Sequence, residues 1–175
     1  VFGAQVGIIG SGVSNGYPDP NPLITSETIT VNTVNAATGS TSVTSVNLLA
    51  GESAATAAAR INTLNGVTAT ANTSATLNIV DDGDPGLLRI RFNGVTLTDP
   101  ALGAVPNPLT SDFLAERINQ VFAGSGTSAS SDGTLLTVRS VNGADLRFEE
   151  FGSDLNDRLE IVNINGAATN VFVFN

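Results

Sequence analysis

Twice along this chain the hydrophobic period changes from two to about 3.6 and back again, and few folds accommodate that order of elements. The first cycle begins at Thr28-Ile29-Thr30-Val31-Asn32, which alternates and is rich in β-branched residues. Branched side chains fit a pleated, half-buried surface, so this segment predicts a strand. A Gly/Ser/Thr turn at 38–42 leads into Val43-Thr44-Ser45-Val46-Asn47-Leu48, a returning strand. From Ser53 to Leu64 the chain is rich in alanine, which loses least on entering a helix. Ser53 is the natural N-cap, and Ala54, Ala57, Ala58, Ile61 and Leu64 share one face at spacings of three and four. Asn65-Gly66 supplies the stop, and two further strands are predicted at Val67–Ala71 and Thr76–Val80.

After the turn Asp81-Asp82-Gly83-Asp84-Pro85-Gly86 the same order returns. Leu88-Arg89-Ile90-Arg91-Phe92 alternates, and Asn93-Gly94 is a strong hairpin signal because both residues tolerate positive φ. Val95–Thr98 returns and a Pro-rich insert spans 99–109. Thr110 or Ser111 caps a second helix to Phe122, with Phe113, Leu114, Ile118, Val121 and Phe122 on its apolar face. Strands follow at Thr127–Ser130 and Leu135–Ser140, joined through Asp132-Gly133.

The two cycles can be laid over each other. Arg60-Ile61-Asn62 matches Arg117-Ile118-Asn119, an offset of 57 residues, and Ile29 matches Ile90, an offset of 61. Gly66-Val67-Thr68-Ala69-Thr70 matches Gly126-Thr127-Ser128-Ala129-Ser130, and Leu77-Asn78-Ile79 matches Leu136-Thr137-Val138. The fold class expected is α+β, mainly antiparallel β with two short helices, arranged as tandem ββαββ units. The organisation read from this is an N-terminal strand and Pro-rich connector over 1–27, units over 28–86 and 87–153, and C-terminal strands over 154–175. The last segment is expected to form a hairpin through Asn165-Gly166 and to pair with the N-terminal strand, bringing both ends to one base. In each Arg-Ile-Asn triplet the Ile is expected to anchor the helix and the Asn to bond loose backbone at the helix end. The Arg stem is expected to cover apolar surface with its head in water.

Composition narrows the chemistry. The 175 residues contain no Cys, His, Met, Trp or Lys, and all seven cations are Arg. Without Met, the chain is expected to be a processed protein or an excised fragment. Cys and His being absent removes the thiol nucleophile, the imidazole base and the usual zinc ligands. Lys being absent removes Schiff-base chemistry and the phosphate-loop lysine. Carboxylate-pair catalysis and calcium binding survive. A net charge of -9 argues against nucleic acid and anionic membrane surfaces as partners.

Two acidic groups and two Gly-Ser-Gly segments stand out on that basis. Asp81, Asp82 and Asp84 resemble a short calcium loop but lack the further Glu of an EF-hand, so a solvated turn is expected. Glu149, Glu150, Asp154 and Asp157 could form a glycosidase pair, yet the chain has no Trp and a single Tyr17 to build a sugar platform. A solvated acidic loop is expected there, with Arg147 and Arg158 as ion-pair partners. Gly10-Ser11-Gly12 and Gly124-Ser125-Gly126 lack the context of a nucleophile elbow. Phe92, Phe113, Phe122, Phe148, Phe151, Phe172 and Phe174 are expected in the core, and Asn72-Thr73-Ser74 is a formal N-glycosylation acceptor. No catalytic, cofactor-binding or metal-ligating residue is assigned, no cofactor is expected, and the chain is expected not to be an enzyme.

Gly51-Glu52-Ser53, Arg60-Ile61-Asn62, Gly66-Val67-Thr68-Ala69 and the second copy at 110–130 resemble the Ile-Asn motif of bacterial flagellins and flagellar hook-associated proteins. Val138-Arg139-Ser140-Val141-Asn142-Gly143-Ala144-Asp145-Leu146 is similar to the Ser-x-x-Gly-x-Asp stretch that often follows it. The resemblance covers about residues 28–150. It implies a structural outer (variable) domain of an extracellular bacterial surface filament, projecting from the filament rather than building its core. It also implies partners that are other copies of the chain in a filament, or neighbouring outer domains. The alternative reading is an adhesin or glycan-binding surface module that uses the same repeat unit.

Overall fold

The computed structural model describes residues 4–9, 13–14, 26–35, 37–83, 89–150, 157–164, 167–168 and 173–174. Its strands and helices run β1 (Ala4–Ile9), β2 (Val13–Ser14), β3 (Glu27–Val34), β4 (Thr41–Leu48), α1 (Ala54–Ile61), β5 (Val67–Val80), β6 (Arg91–Phe92) and β7 (Val95–Thr96). They continue through α2 (Ser111–Val121), β8 (Thr127–Ser131), β9 (Leu135–Ser140), β10 (Leu146–Glu150), β11 (Arg158–Ile164), β12 (Ala167–Ala168) and β13 (Val173–Phe174). A 3-10 turn occupies Pro100–Leu102. The architecture is α+β and mainly antiparallel, with two short helices. Neither helix is long and apolar enough to cross a membrane.

Both helices start where the sequence placed them. Ser53 accepts from the Thr56 amide, and Thr110 accepts from the Phe113 amide. Ala54, Ala57, Ala58 and Ile61 form the buried face of α1, and Leu64 is buried just beyond its end. In α2, Leu114 and Ile118 are fully buried while Phe113, Val121 and Phe122 are half-buried against the core. The Asn93-Gly94 turn has φ of 45° and 81°, the positive values the dipeptide tolerates.

β5 departs from the sequence reading. The two strands expected at Val67–Ala71 and Thr76–Val80 are one continuous strand of 14 residues. The Asn72-Thr73-Ser74 stretch looks like a break because it is polar. It stays extended because neighbours engage its backbone, with Thr73 opposite Ser140 and Asn72 opposite Ile9. The first half of β5 pairs in parallel with β1, and the second half lies between β9 and β11, antiparallel to both. The strands of this sheet run in the order β12-β11-β5-β9-β8. β10 pairs with β6 and with β2, and β3 and β4 form a sheet of their own.

The N-terminal strand is also placed differently from expectation. β1 pairs with β5, not with the C-terminal strands. Those strands pair among themselves as a hairpin: β12 and β13 both lie on β11, with Ile164 opposite Ala167 and Leu159 opposite Phe174. The length of β5 explains this, since β11 engages only Ala75–Val80 and leaves Val67–Asn72 to β1.

Two hydrophobic clusters are threaded on β5. The smaller gathers Leu48, Ala57, Ala58, Ile61, Leu64, Val67 and Ala69 beneath the β3–β4 hairpin. The larger gathers Leu77, Ile90, Phe92, Leu97, Leu114, Ile118, Leu136, Leu146, Phe148, Leu159 and their neighbours. The Phe92 ring lies 4.7 Å from Phe148 and meets Phe122 edge-on at 5.2 Å, so these three phenylalanines are in the core as anticipated. Phe151 and Phe172 lie outside the described residues, as does the side chain of Phe174.

Candidate functional site

The Arg-Ile-Asn triplets make the same contact twice. Ile61 and Ile118 are fully buried. Asn62 Nδ2 donates to the Ala69 carbonyl at 3.0 Å, and its Oδ1 accepts from the Ala69 amide at 2.7 Å. Asn119 Nδ2 donates to the Ala129 carbonyl at 2.8 Å, and its Oδ1 accepts from the Ala129 amide at 2.8 Å. A carboxamide carries one acceptor beside two donors, so it can satisfy both backbone groups of one extended residue as a neighbouring strand would. This corrects the expectation that the Asn bonds loose groups at the helix end. The turn after each helix brings the next strand alongside, and that strand presents a complete donor–acceptor pair. Ala69 and Ala129, aligned in the sequence comparison only as repeat partners, are the two residues held.

The arginines of the two triplets behave differently. Arg60 is half-exposed and its Nε lies 2.8 Å from Glu52 Oε2, as an exposed head group should. Arg117 is only 4% exposed, which contradicts the expectation of a guanidinium in water. Its guanidinium carbon sits 4.8 Å from the Phe113 ring centre, and Nη1 has no hydrogen-bond partner. The sequence explains the contrast. Glu52 stands eight residues before Arg60, and Leu109 stands eight before Arg117, so the second triplet lacks the carboxylate and turns onto an aromatic face instead.

A loop after β9 ties the halves together. The Gly143 carbonyl accepts from the Ala55 amide in the first turn of α1 at 3.0 Å. Gly143 has φ of 70°, and a Cβ there would lie 2.3 Å from the Ala71 Cβ and 3.0 Å from the Ala55 nitrogen. Only glycine fits this approach. Ser140 Oγ accepts from the Ala144 amide within the same turn.

The acidic residues are redistributed relative to the sequence reading. Asp81, Asp82 and Asp157 each place a carboxylate oxygen within 4.8 Å of the others. Asp157 is almost fully buried and comes from the second of the predicted acidic groups, not the first. Asp84 and Asp154 lie outside the described residues, as does the side chain of Glu150. Asp81 accepts from the Gly83 amide through one oxygen and from the Leu109 amide through the other, and Asp157 Oδ1 accepts from the Asp82 amide at 3.4 Å. These three side chains are the ones that could offer oxygens to a hard cation. The bonds they already make clamp the end of β5 to the start of α2 and to β11.

Glu149 is separately engaged, with Arg91 Nε at 3.1 Å, Arg147 Nε at 3.4 Å and the Gly94 amide at 3.0 Å. Arg147 therefore meets the expected partner, whereas Arg158 pairs with Glu160, a residue outside the predicted group. Asn78 and Arg158 both donate to Glu160 and hold its carboxyl below the usual range, the Asn78 bond being the larger cause. Asp132 is likewise lowered, first by the Leu135 amide and then by the Thr134 amide, and serves as the turn's internal cap. Ser125 bonds the Phe122 carbonyl and the Thr127 amide, an assignment to turn structure. Gly10-Ser11-Gly12 lies outside the described residues.

No family model matches the chain, and no curated protein matches it. The recurring geometry is therefore the basis on which function is read. The carboxylates of Glu52, Asp81, Asp132, Glu149, Asp157 and Glu160, the guanidinia of Arg60, Arg91, Arg147 and Arg158, and both Asn side chains act on the backbone or on each other. They hold strands, turns and helices in place.

Proposed function

We propose that this chain is a non-catalytic structural module, the outer domain of an extracellular bacterial surface filament of the flagellin or hook-associated type. The observation that carries this reading is the twin Ile–Asn arrangement. In each case a capped amphipathic helix buries an Ile and closes onto the next strand through an Asn carboxamide. The residues that make this geometry are the ones that carry the resemblance to the flagellar Ile-Asn motif. We further infer that the two halves descend from one ββαββ unit by duplication, the first copy having merged its last two strands into β5.

Such a module would work mechanically, presenting a folded acidic surface outside the cell, with other copies or neighbouring outer domains as its partners. Two measurements test the reading. The parent gene should encode heptad-patterned helices flanking these residues, and antibodies raised against this chain should decorate filaments on the source cells. A parent gene without such helices, or labelling confined to a non-filamentous surface, overturns it. Specific hits on a glycan array would instead favour the adhesin reading.

A further inference from the structure

The β3–β4 hairpin combines an uncharged stretch, an exposed tip and two unpaired edges. From Thr28 to Gly51 there is no charged residue, so the whole net charge of -9 resides elsewhere. The register is unbroken over eight pairs, from Glu27 opposite Leu48 to Val34 opposite Thr41. Ile29, Val31, Val46 and Leu48 rest on the smaller core. Beyond Val31 and its partner Thr44, every described residue to the tip is exposed, including Val34 at 65% and Val43 at 66%.

The free edges can be assigned residue by residue. The Asn35 amide donates to the Ser40 carbonyl at 2.9 Å, which makes that pair the hydrogen-bonded kind. Alternation then points the backbone groups of Thr28, Thr30, Asn32 and Val34 away from β4, and those of Thr41, Val43, Ser45 and Asn47 away from β3. Among the described residues, no strand pairs with either outward row. Natural sheets blunt such edges with Lys, Pro, bulges or a covering element. The edge strand β8 has such a cover, since Asn119 engages both outward groups of Ala129. The hairpin carries no such device on its described edges.

We propose that this hairpin is a docking arm for a second copy of the chain, joined by antiparallel pairing of like edges. The lack of charge, the exposure and the unpaired edges coincide at this tip. Two bodies of charge -9 repel, but the repulsion is screened over about 8 Å at physiological salt. The arm runs roughly 3.3 Å per residue, so Asn32 to Asn35 extend it by more than that length past the last core contact. An uncharged arm of this reach lets two acidic bodies associate at the least Coulombic cost. A two-fold axis places identical outward rows against each other, which makes each edge its own complement. Copies meeting one another is also part of the filament reading. What is added is the surface, and the test uses the isolated chain, so the arm and the filament can fail separately.

The test is sedimentation velocity on the chain as its concentration is raised into the high-micromolar range. Wild type should shift from monomer to dimer. Asn32→Pro and Val43→Pro each remove one outward amide without touching the bonds inside the hairpin, because both residues face away from the partner strand. The variant on the pairing edge should weaken the dimer roughly ten-fold or more. Val43→Lys, which places charge on the arm and keeps every amide, should weaken it as well. Circular dichroism and amide exchange at Thr33 and Thr44 report whether the hairpin itself survives. A chain that stays monomeric assigns the edges to a strand of another protein and overturns the proposal. A dimer that persists in both proline variants with the hairpin intact also overturns it.

Discussion

Replacing Asn62 with Ala tests whether the carboxamide bridges hold the fold together. The substitution removes the donor to the Ala69 carbonyl at 3.0 Å and the acceptor for the Ala69 amide at 2.7 Å. Ala69 is 5% exposed and belongs to the smaller core, so water replaces these partners poorly. A buried backbone group left without its partner costs about 1–3 kcal/mol, and some water will enter where the side chain was, so the pair should cost about 2–3 kcal/mol. The same change at Asn119 exposes the groups of Ala129, which is half-buried with its bonds at the surface. Water can replace those partners, and the cost should fall to about 1 kcal/mol. In a chain of this length 1 kcal/mol corresponds to roughly 2–4 °C, so Asn62→Ala should lower Tm by roughly 5–10 °C and Asn119→Ala by roughly 2–4 °C. Urea unfolding followed by circular dichroism measures both, with unchanged m-values showing that the same transition is compared. Asn62→Asp adds a control. Its ionised carboxylate keeps the acceptor but sets an oxygen against the Ala69 carbonyl, so the loss should shrink once acid protonates it and restores a donor. An Asn119 variant as costly as the Asn62 variant would refute the burial argument.

Three further outcomes follow from single positions. Thr73 is fully buried and its hydroxyl has no hydrogen-bond partner, so Thr73→Val, nearly the same shape, should raise stability by about 1 kcal/mol in the same urea assay. Gly143→Ala should cost roughly 2–4 kcal/mol, since its positive φ and the contacts with Ala71 and Ala55 act together, and a loss below 1 kcal/mol would show that the loop moves aside freely. Glu160 has a folded value held below its ordinary 4.5 by Asn78 and then by Arg158, so its contribution is complete above that pH and is lost as acid takes the pH down through the folded value. Glu160→Gln should therefore flatten the decline of Tm as the pH falls below the ordinary 4.5 of the carboxyl; an unchanged acid limb would exclude this carboxylate as a contributor.

The sequence by itself determined the local elements. Ser53 and Thr110 were readable as caps because a side-chain oxygen two or three residues from an amide is a short-range arrangement. The spacing of Ala57, Ala58 and Ile61, and of Leu114 and Ile118, gave the buried helix faces, and Asn93-Gly94 gave its turn. The equivalence of Ala69 and Ala129 was also visible, although not that each receives an Asn carboxamide. Tertiary structure decided what depends on partners distant in the chain. Thr73 and Ser74 remain in a strand because β9 binds them. β1 chose β5 because β11 fills only half of that long edge. Asp157 joins Asp81 and Asp82 because β11 runs antiparallel to the end of β5, with Arg158 opposite Val80. Arg117 is buried while Arg60 is not because one neighbour is Leu109 and the other Glu52, a difference plain in the sequence whose effect appears only when the helix is packed. Periodicity and capping act over a few residues and can be read along the chain. Pairing and burial are settled by which surfaces compete for one another in three dimensions.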